Sequence, residues 1–380
     1  MSRTHKTGLA PLALLLGVAL LPAGLPAQDK AAPDDRITTA DGKILRRVEV
    51  LSETLTEVKY KKGGKEESMP YADVLDVEYT PAPDSYLRGV AALERGDLAT
   101  AANLFQDAAS GADRPALGAH AGFRAVKTLV AAAAQDPTQA SIAAQAAATW
   151  LAANAEHRQA PEAHRLHGQA LLLAGEGAKA LAAFQALEDL ARTKNLKQVW
   201  IARARFGIAE AQVRAKEFQK AREAYQGAAA TLRAMDLSSD IEAARLAVAA
   251  EVGVGETFME DGHADEALRY FQGLEMKASN DADLRNAAVC GRSAALCEVG
   301  AASKDLDKLR AAQEGLARVS ATDVLDGDSS VKALYYLGRC LLALGDHEPD
   351  GARRARRYFE LVVQSYPGNR WAAYAQKELQ

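Results

Sequence analysis

Three stretches of this chain share one skeleton. In GVAALERGDLATAANLFQDA (89–108), GQALLLAGEGAKALAAFQAL (168–187) and GETFMEDGHADEALRYFQGL (255–274), Gly, Gly, Ala, Phe and an apolar residue stand at offsets 0, 7, 12, 16 and 19 from the first Gly. Otherwise different sequence that keeps its spacing constrains the fold more than composition does, because each copy must build the same unit and stack on the next. The second Gly of each copy (Gly96, Gly175, Gly262) falls where a helix ends in a left-handed residue. The Ala, Phe and apolar residue that follow are spaced i, i+4 and i+7, so they share one face of a second helix. Gly89, Gly168 and Gly255 opposite Ala101, Ala180 and Ala267 let two helix backbones approach closely, and the Phe fills the gap beside the next unit.

This pattern resembles the tetratricopeptide repeat, a helical hairpin of about 34 residues. In AQVRAKEFQKAREAYQGAA, Lys216, Glu217 and Phe218 stand at the turn, with Ala221, Tyr225 and Ala228 at the packing positions. In the last unit Leu337, Gly338 and Gly345 match the first helix, Ala355, Phe359 and Val362 the second, and Pro367 the closing Pro. YPGNRWAAYAQKEL (366–379) resembles the capping helices of tetratricopeptide proteins in bacterial cell envelopes. The match has departures. Unit starts are unevenly spaced, the hairpin around QDPTQ keeps only Gly122, Trp150 and Ala153, and the unit around Gly291 has no clean turn glycine. The resemblance implies a mainly α protein, a tetratricopeptide-like α-solenoid of about seven hairpins over residues 82–380 with a capping helix and a concave groove.

Two different segments precede the helices. Arg3, His5 and Lys6 stand before an apolar stretch, Leu9 to Leu21, and Ala27 offers a small residue at a cleavage point, so residues 1–27 are expected to be a cleaved signal peptide and the protein to be exported to the periplasm or cell envelope. No other stretch is long and apolar enough to span a membrane. After a polar linker at 28–35 the apolar period falls to two: Ile44, Val48 and Val50 alternate with polar residues, as do Val58 with Tyr60 and Leu75 with Val77 and Tyr79. Residues 36–80 are therefore expected to form a small antiparallel β module, with turns at 40–43 and 62–65 and a break at Pro70. It weakly resembles Sm-like and SH3-like barrels and is expected to lean on the first helices after it.

Charge limits the partners. Without residues 1–27 the 46 basic residues become 44 against 50 acidic ones, and residues 36–80 hold eight Lys or Arg against nine Asp or Glu, so neither the chain nor the β module offers a nucleic-acid platform. Cys290 and Cys297 lie about 10 Å apart along one helix, too far to pair with each other, while Cys340 on a neighbouring helix is within reach of either. Nucleophile, zinc, phosphate-loop and C-x-x-C motifs are missing, His164 and His167 fall at packing positions, and DVLDGDSS (323–330) lacks the spacing of a calcium loop. No enzymatic activity, cofactor or metal is expected.

In the tetratricopeptide family the groove is lined mainly by the first helix of each hairpin. Carried onto this chain, the middle units present Arg165, Gln169, Arg203, Phe206, Glu210, Glu256 and Met259, and the last two present Arg285, Arg292, Lys332, Tyr335, Arg339 and Leu342, with no acid among them. The expected function is a non-enzymatic exported scaffold whose groove binds a peptide or protein, acidic or with a C-terminal carboxylate, through guanidinium hydrogen bonds and an apolar contact to Tyr335. The alternative is an accessory subunit that docks to an envelope enzyme or transporter through residues 36–80.

Overall fold

The computed structural model describes residues 32–238, 240–279, 281–322, 328–367 and 369–380. The expected signal segment, the first half of the linker and most of the DVLDGDSS turn lie outside the described residues. Residues 33–380 form one compact unit.

Five strands come first: β1 (Asp35–Thr39), β2 (Ile44–Glu53), β3 (Glu57–Lys62), β4 (Lys65–Pro70) and β5 (Val74–Glu78). They make one antiparallel sheet in the order β4-β3-β2-β1-β5. A meander runs through the first four, Pro70 ends β4, a 3-10 turn over Tyr71–Asp73 reverses the chain, and β5 returns to the free side of β1. Gly63 and Gly64, both at positive φ, close the β3–β4 hairpin. Two details depart from the sequence pattern. The sheet begins at Asp35, inside the expected linker, and this carboxylate is fully buried, accepting the Val50 and Thr80 N–H groups at 2.8 Å and the Arg114 guanidinium at 2.8 and 3.0 Å. A register shift between Thr38 and Thr39 in the β1–β5 pairing puts Val74 and Val77 inside and leaves Leu75 65% exposed, so Leu75 is out of phase with Val77.

Fifteen helices follow among the described residues, seven hairpins and a cap. The hairpins are α1 (Asp84–Glu94) with α2 (Leu98–Ser110), α3 (Pro115–Gln135) with α4 (Ala140–Ala153), α5 (Ala160–Leu173) with α6 (Gly177–Thr193), α7 (Gln198–Arg214) with α8 (Phe218–Arg233), α9 (Ile241–Glu260) with α10 (Ala264–Lys277), α11 (Ala282–Ser303) with α12 (Leu306–Thr322), and α13 (Asp328–Leu344) with α14 (Gly351–Ser365); α15 (Arg370–Glu378) is the cap. The uneven unit spacing is taken up by long first helices, with α3, α9 and α11 running 20 to 22 residues.

The repeated skeleton has the packing it implied. Gly96, Gly175 and Gly262 sit at φ of 77–78° immediately after the first helix of their units. Lys216 and Lys304 hold the same left-handed turn where the skeleton lacks Gly. The recurring Phe of each full copy is buried between two first helices. A Cβ on Gly168 would lie 2.6 Å from the Phe184 ring and one on Gly207, in the next unit, 2.3 Å from it; Phe271 is seated the same way between Gly255 and Gly291. Each hairpin thereby buries its apolar face against its neighbour, which is how a solenoid obtains a core.

The sheet rests chiefly on α3 and on the α4–α5 connection rather than on α1. Ala116 and Leu117 of α3 complete its apolar core, Leu55 of the β2–β3 turn enters the helical core, and the Leu55 N–H donates to the Glu156 carbonyl at 2.9 Å.

Candidate functional site

The row of first helices curves inward. Arg370 and Tyr374 of the cap, three first helices beyond α9, still reach it: Arg370 Nη2 is 2.6 Å from Glu256 Oε2, and the Tyr374 hydroxyl donates to Glu260 at 3.0 Å. Only a row with its first helices on the inside brings α9 and α15 together. Two cavities open on this concave side.

The middle cavity, about 480 Å³, is lined from α3, α5, α7 and α9. It includes Arg203 and Phe206 with Lys127, Arg165, Gln169, Glu210 and Glu242. Arg203 lies over the Trp200 ring at 4.7 Å and pairs with Glu242 at 3.0 Å; Phe206 packs edge-on against Tyr225 at 5.3 Å. Arg165 is held by Glu162 at 2.7 Å and donates to Gln169. Burial in the groove raises the Glu210 carboxyl above its ordinary range, opposed by Arg214, Arg370 and Arg165. Positive and negative groups alternate around this cavity, which suits a ligand with both donors and acceptors, such as peptide backbone.

The C-terminal cavity, about 410 Å³, lies between α9, α11, α13 and α15 and gathers Lys332, Tyr335 and Arg339 with Glu256, Glu260 and Glu298. It is not the basic pocket that the first helices of the last two units suggested, because acids from other units neutralise each cation. Lys332, only 3% exposed, places Nζ 3.0 Å from Glu256 and lies 5.5 Å from the Phe271 and Trp371 ring centres. Desolvation would raise Glu256, but Arg370 and Lys332 outweigh it and hold the carboxyl down to about 2. Arg339 pairs with Glu298 at 3.2 Å and with Glu378 at 3.3 Å. Tyr335 is 4% exposed and stacks on Trp371 at 5.5 Å, so its ring face is covered by the protein itself.

The remaining sequence candidates lie apart from both cavities. Arg292 pairs with Glu275 of α10 at 2.7 Å, Arg285 donates to the Ser279 carbonyl at 3.2 Å, and Leu342, 43% exposed, lies near the α13–α14 turn. The sequence reading missed Trp371, Tyr374 and Arg370, which the cap folds into the groove; their clustering in RWAAYAQKEL was the available signal. His164 and His167 are half-buried on α5, and burial lowers the pKa of each. All three cysteines are buried and none is in a disulfide; Cys297 is the one that faces Cys340, whose hydrogen bond raises the Cys297 thiol. Among the described residues no group of three or more His, Cys, Asp or Glu is placed to hold a metal, and no helix is long and apolar enough to cross a membrane.

Residues 332–369 match the family model described as tetratricopeptide repeat. A tetratricopeptide repeat protein from Parabacteroides merdae has a similar solved structure, with a TM-score of 0.52 at 15% identity, over 78% of this chain and 98% of that one. The apo form of RapI gives 0.48 at 14% identity, over 75% of this chain and 97% of that one. NprR in complex with its cognate peptide NprX gives 0.47 at 11%, over 78% and 81%. No curated protein matches this chain by sequence. The helical part is thus a tetratricopeptide-like solenoid preceded by a five-stranded antiparallel sheet.

Proposed function

We propose that this protein is a non-enzymatic scaffold that binds an extended peptide or protein segment along the inner faces of α5, α7, α9, α11 and α13. The observation that carries this is the pair of cavities on one row of first helices, each with donors, acceptors and an aromatic side chain in its lining. Export to the periplasm or cell envelope, with cleavage after about Ala27, rests on the basic, apolar and small-residue order of the first 27 residues. An acidic or carboxylate-terminated partner would gain Arg339 only by displacing Glu298 and Glu378, and Lys332 only by displacing Glu256. Arg203 is paired with Glu242, whose side chain is 82% exposed against 13–28% for Glu256, Glu298 and Glu378, so the middle cavity is the better anchor, with Arg203 and Phe206 as the first contacts.

A photo-crosslinking residue placed at Phe206 or at Met259 of the mature protein is expected to capture the same envelope protein. The same residue at Met276, 78% exposed on the opposite, second-helix side, is expected to capture none. Equal capture at Met276 would overturn the groove assignment and return attention to residues 36–80 as the docking piece.

A further inference from the structure

The joint between sheet and helices is built around one buried carboxylate. Glu53, at the end of β2, has a fully buried side chain. The Tyr79 hydroxyl donates to its Oε1 at 2.7 Å, and Arg158, on the α4–α5 connection, donates to its Oε2 from Nε at 2.8 Å and approaches with Nη2 at 2.7 Å. Two histidines complete the cage: His120 Nδ1 of α3 and His157 Nε2 of the α4–α5 connection lie 3.9 and 3.8 Å from Oε1, and neither nitrogen has another partner. The second nitrogen of each ring is engaged. His157 Nδ1 accepts the Gln159 N–H at 3.1 Å, which assigns its proton to Nε2, facing Glu53. His120 Nε2 is 3.1 Å from the Tyr86 hydroxyl and accepts from it in the tautomer whose proton faces Glu53.

A second proton on either ring must go to the nitrogen that is already accepting: on His157 it removes the Gln159 hydrogen bond, because an N–H cannot accept, whereas on His120 it reverses the Tyr86 bond, with Nε2–H donating to the hydroxyl. We propose that this joint is a proton-operated latch: in mild acid His120 and His157 take up protons and free the β2–β3 end of the sheet from the α4–α5 connection, while the helices beyond stay folded. The Asp35–Arg114 pair involves neither histidine and keeps β1 on α3.

The charges around the two rings favour this. Facing His120 are Glu53 from β2, Asp76 from β5, Tyr79 beyond it, Tyr86 from α1, Arg124 from its own helix and Arg158. Facing His157 are Glu53, Arg158 and His120, with Trp150 edge-on at 5.3 Å. Glu53 already has Arg158 as its counter-charge, so two imidazolium ions would put three buried cations around one carboxylate. Desolvation lowers both histidines, His157 to about 4. Their folded values lie below the ordinary 6.5, so the docking stability is complete above that pH and is lost as pH falls toward 4. At pH 5, His157 alone shifts the balance toward the open joint about thirtyfold.

Hydrogen exchange on the full chain, corrected for the pH dependence of intrinsic rates, tests this. Between pH 7.5 and 5.0, protection over residues 53–58 and 154–160 is expected to fall more than tenfold while α11 and α13 keep theirs. In the double variant His120→Gln, His157→Asn, whose amides supply the same acceptors to Tyr86 and Gln159 without titrating, the fall is expected to vanish. Unchanged protection in the natural protein, or a uniform loss across all helices, would overturn the latch, as would the same local fall in the variant. If the variant does not fold, ring-nitrogen NMR of the natural protein decides: both histidines titrating near 6.5 with the joint still protected would be incompatible with it.

Discussion

At the scale of single residues, Phe184 shows how the repeat is held. Its ring is 2% exposed and lies between Gly168 of its own unit and Gly207 of the next, so it has no room to move away from a new methyl group on either side. Gly207→Ala places a Cβ 2.3 Å from the ring and is expected to destabilise the protein by about 1 to 3 kcal/mol. Gly273→Ala, in α10 with open space around the new Cβ, is expected to stabilise it by about 0.5 to 1 kcal/mol through helix propensity. Denaturant midpoints of the two variants separate packing from propensity; a shift of the same sign in both would contradict the wedge. The sequence named Phe184 and Gly168 as partners because both belong to one copy of the skeleton. It did not pair Phe184 with Gly207 or Phe271 with Gly291, which receive the Phe from the preceding unit, because those positions sit in units whose own skeletons are eroded.

At the scale of elements, the hairpin turn matters more than the identity of the residue in it. Gly96, Gly175 and Gly262 adopt the left-handed turn freely, whereas Lys304 at φ 55° adopts it against the clash of its own Cβ. Lys304→Gly is expected to raise stability by about 1 kcal/mol, seen as a higher unfolding temperature, and no gain would mean that the Lys304 side chain makes a compensating contact. Most of the helical elements were legible, because Gly at a turn and apolar residues at helical spacing are local signals. The β module was legible by its period of two except where a bulge intervened: between the Thr38–Asp76 and Thr39–Val74 pairs Leu75 is the extra, outward-turned residue of β5, and a run of apolar residues at i, i+2 and i+4 does not report it. Among the first helices expected to support the sheet, the buried polar contacts that fix it come from Arg114 at the start of α3, His120 of α3 and Arg158 of the α4–α5 connection.

At the scale of the whole molecule, two buried ionic centres hold the two ends, and they respond to different pH. The C-terminal one joins α9, α13 and α15 through Glu256, Lys332 and Arg370. Its carboxyl is held at about 2, below the ordinary carboxylate value, so its stabilisation is complete at neutral pH and is lost only as pH falls from about 4.5 toward 2. The N-terminal one, with His157 at about 4 in the folded state, weakens already below 6.5. Acid titration is therefore expected to disturb the Trp150 environment, beside His157, before that of Trp371, beside Lys332; single-tryptophan variants followed by fluorescence give the order, and the reverse order would contradict it.

The sequence by itself determined that the chain is a stack of about seven helical hairpins behind a small sheet, and which faces pack, because packing in a repeat follows from periods of two and 3.6 and from spacings within one unit. Only the tertiary structure decided the character of the groove. The row Lys332, Tyr335 and Arg339 looks basic along α13, yet Glu256 comes from 76 residues earlier and Glu378 from 39 later, and Arg158 meets Glu53 across 105 residues. Which charges meet depends on how far each unit turns relative to the last, and that rotation accumulates over the stack from small differences in helix length and side-chain volume that no local pattern records.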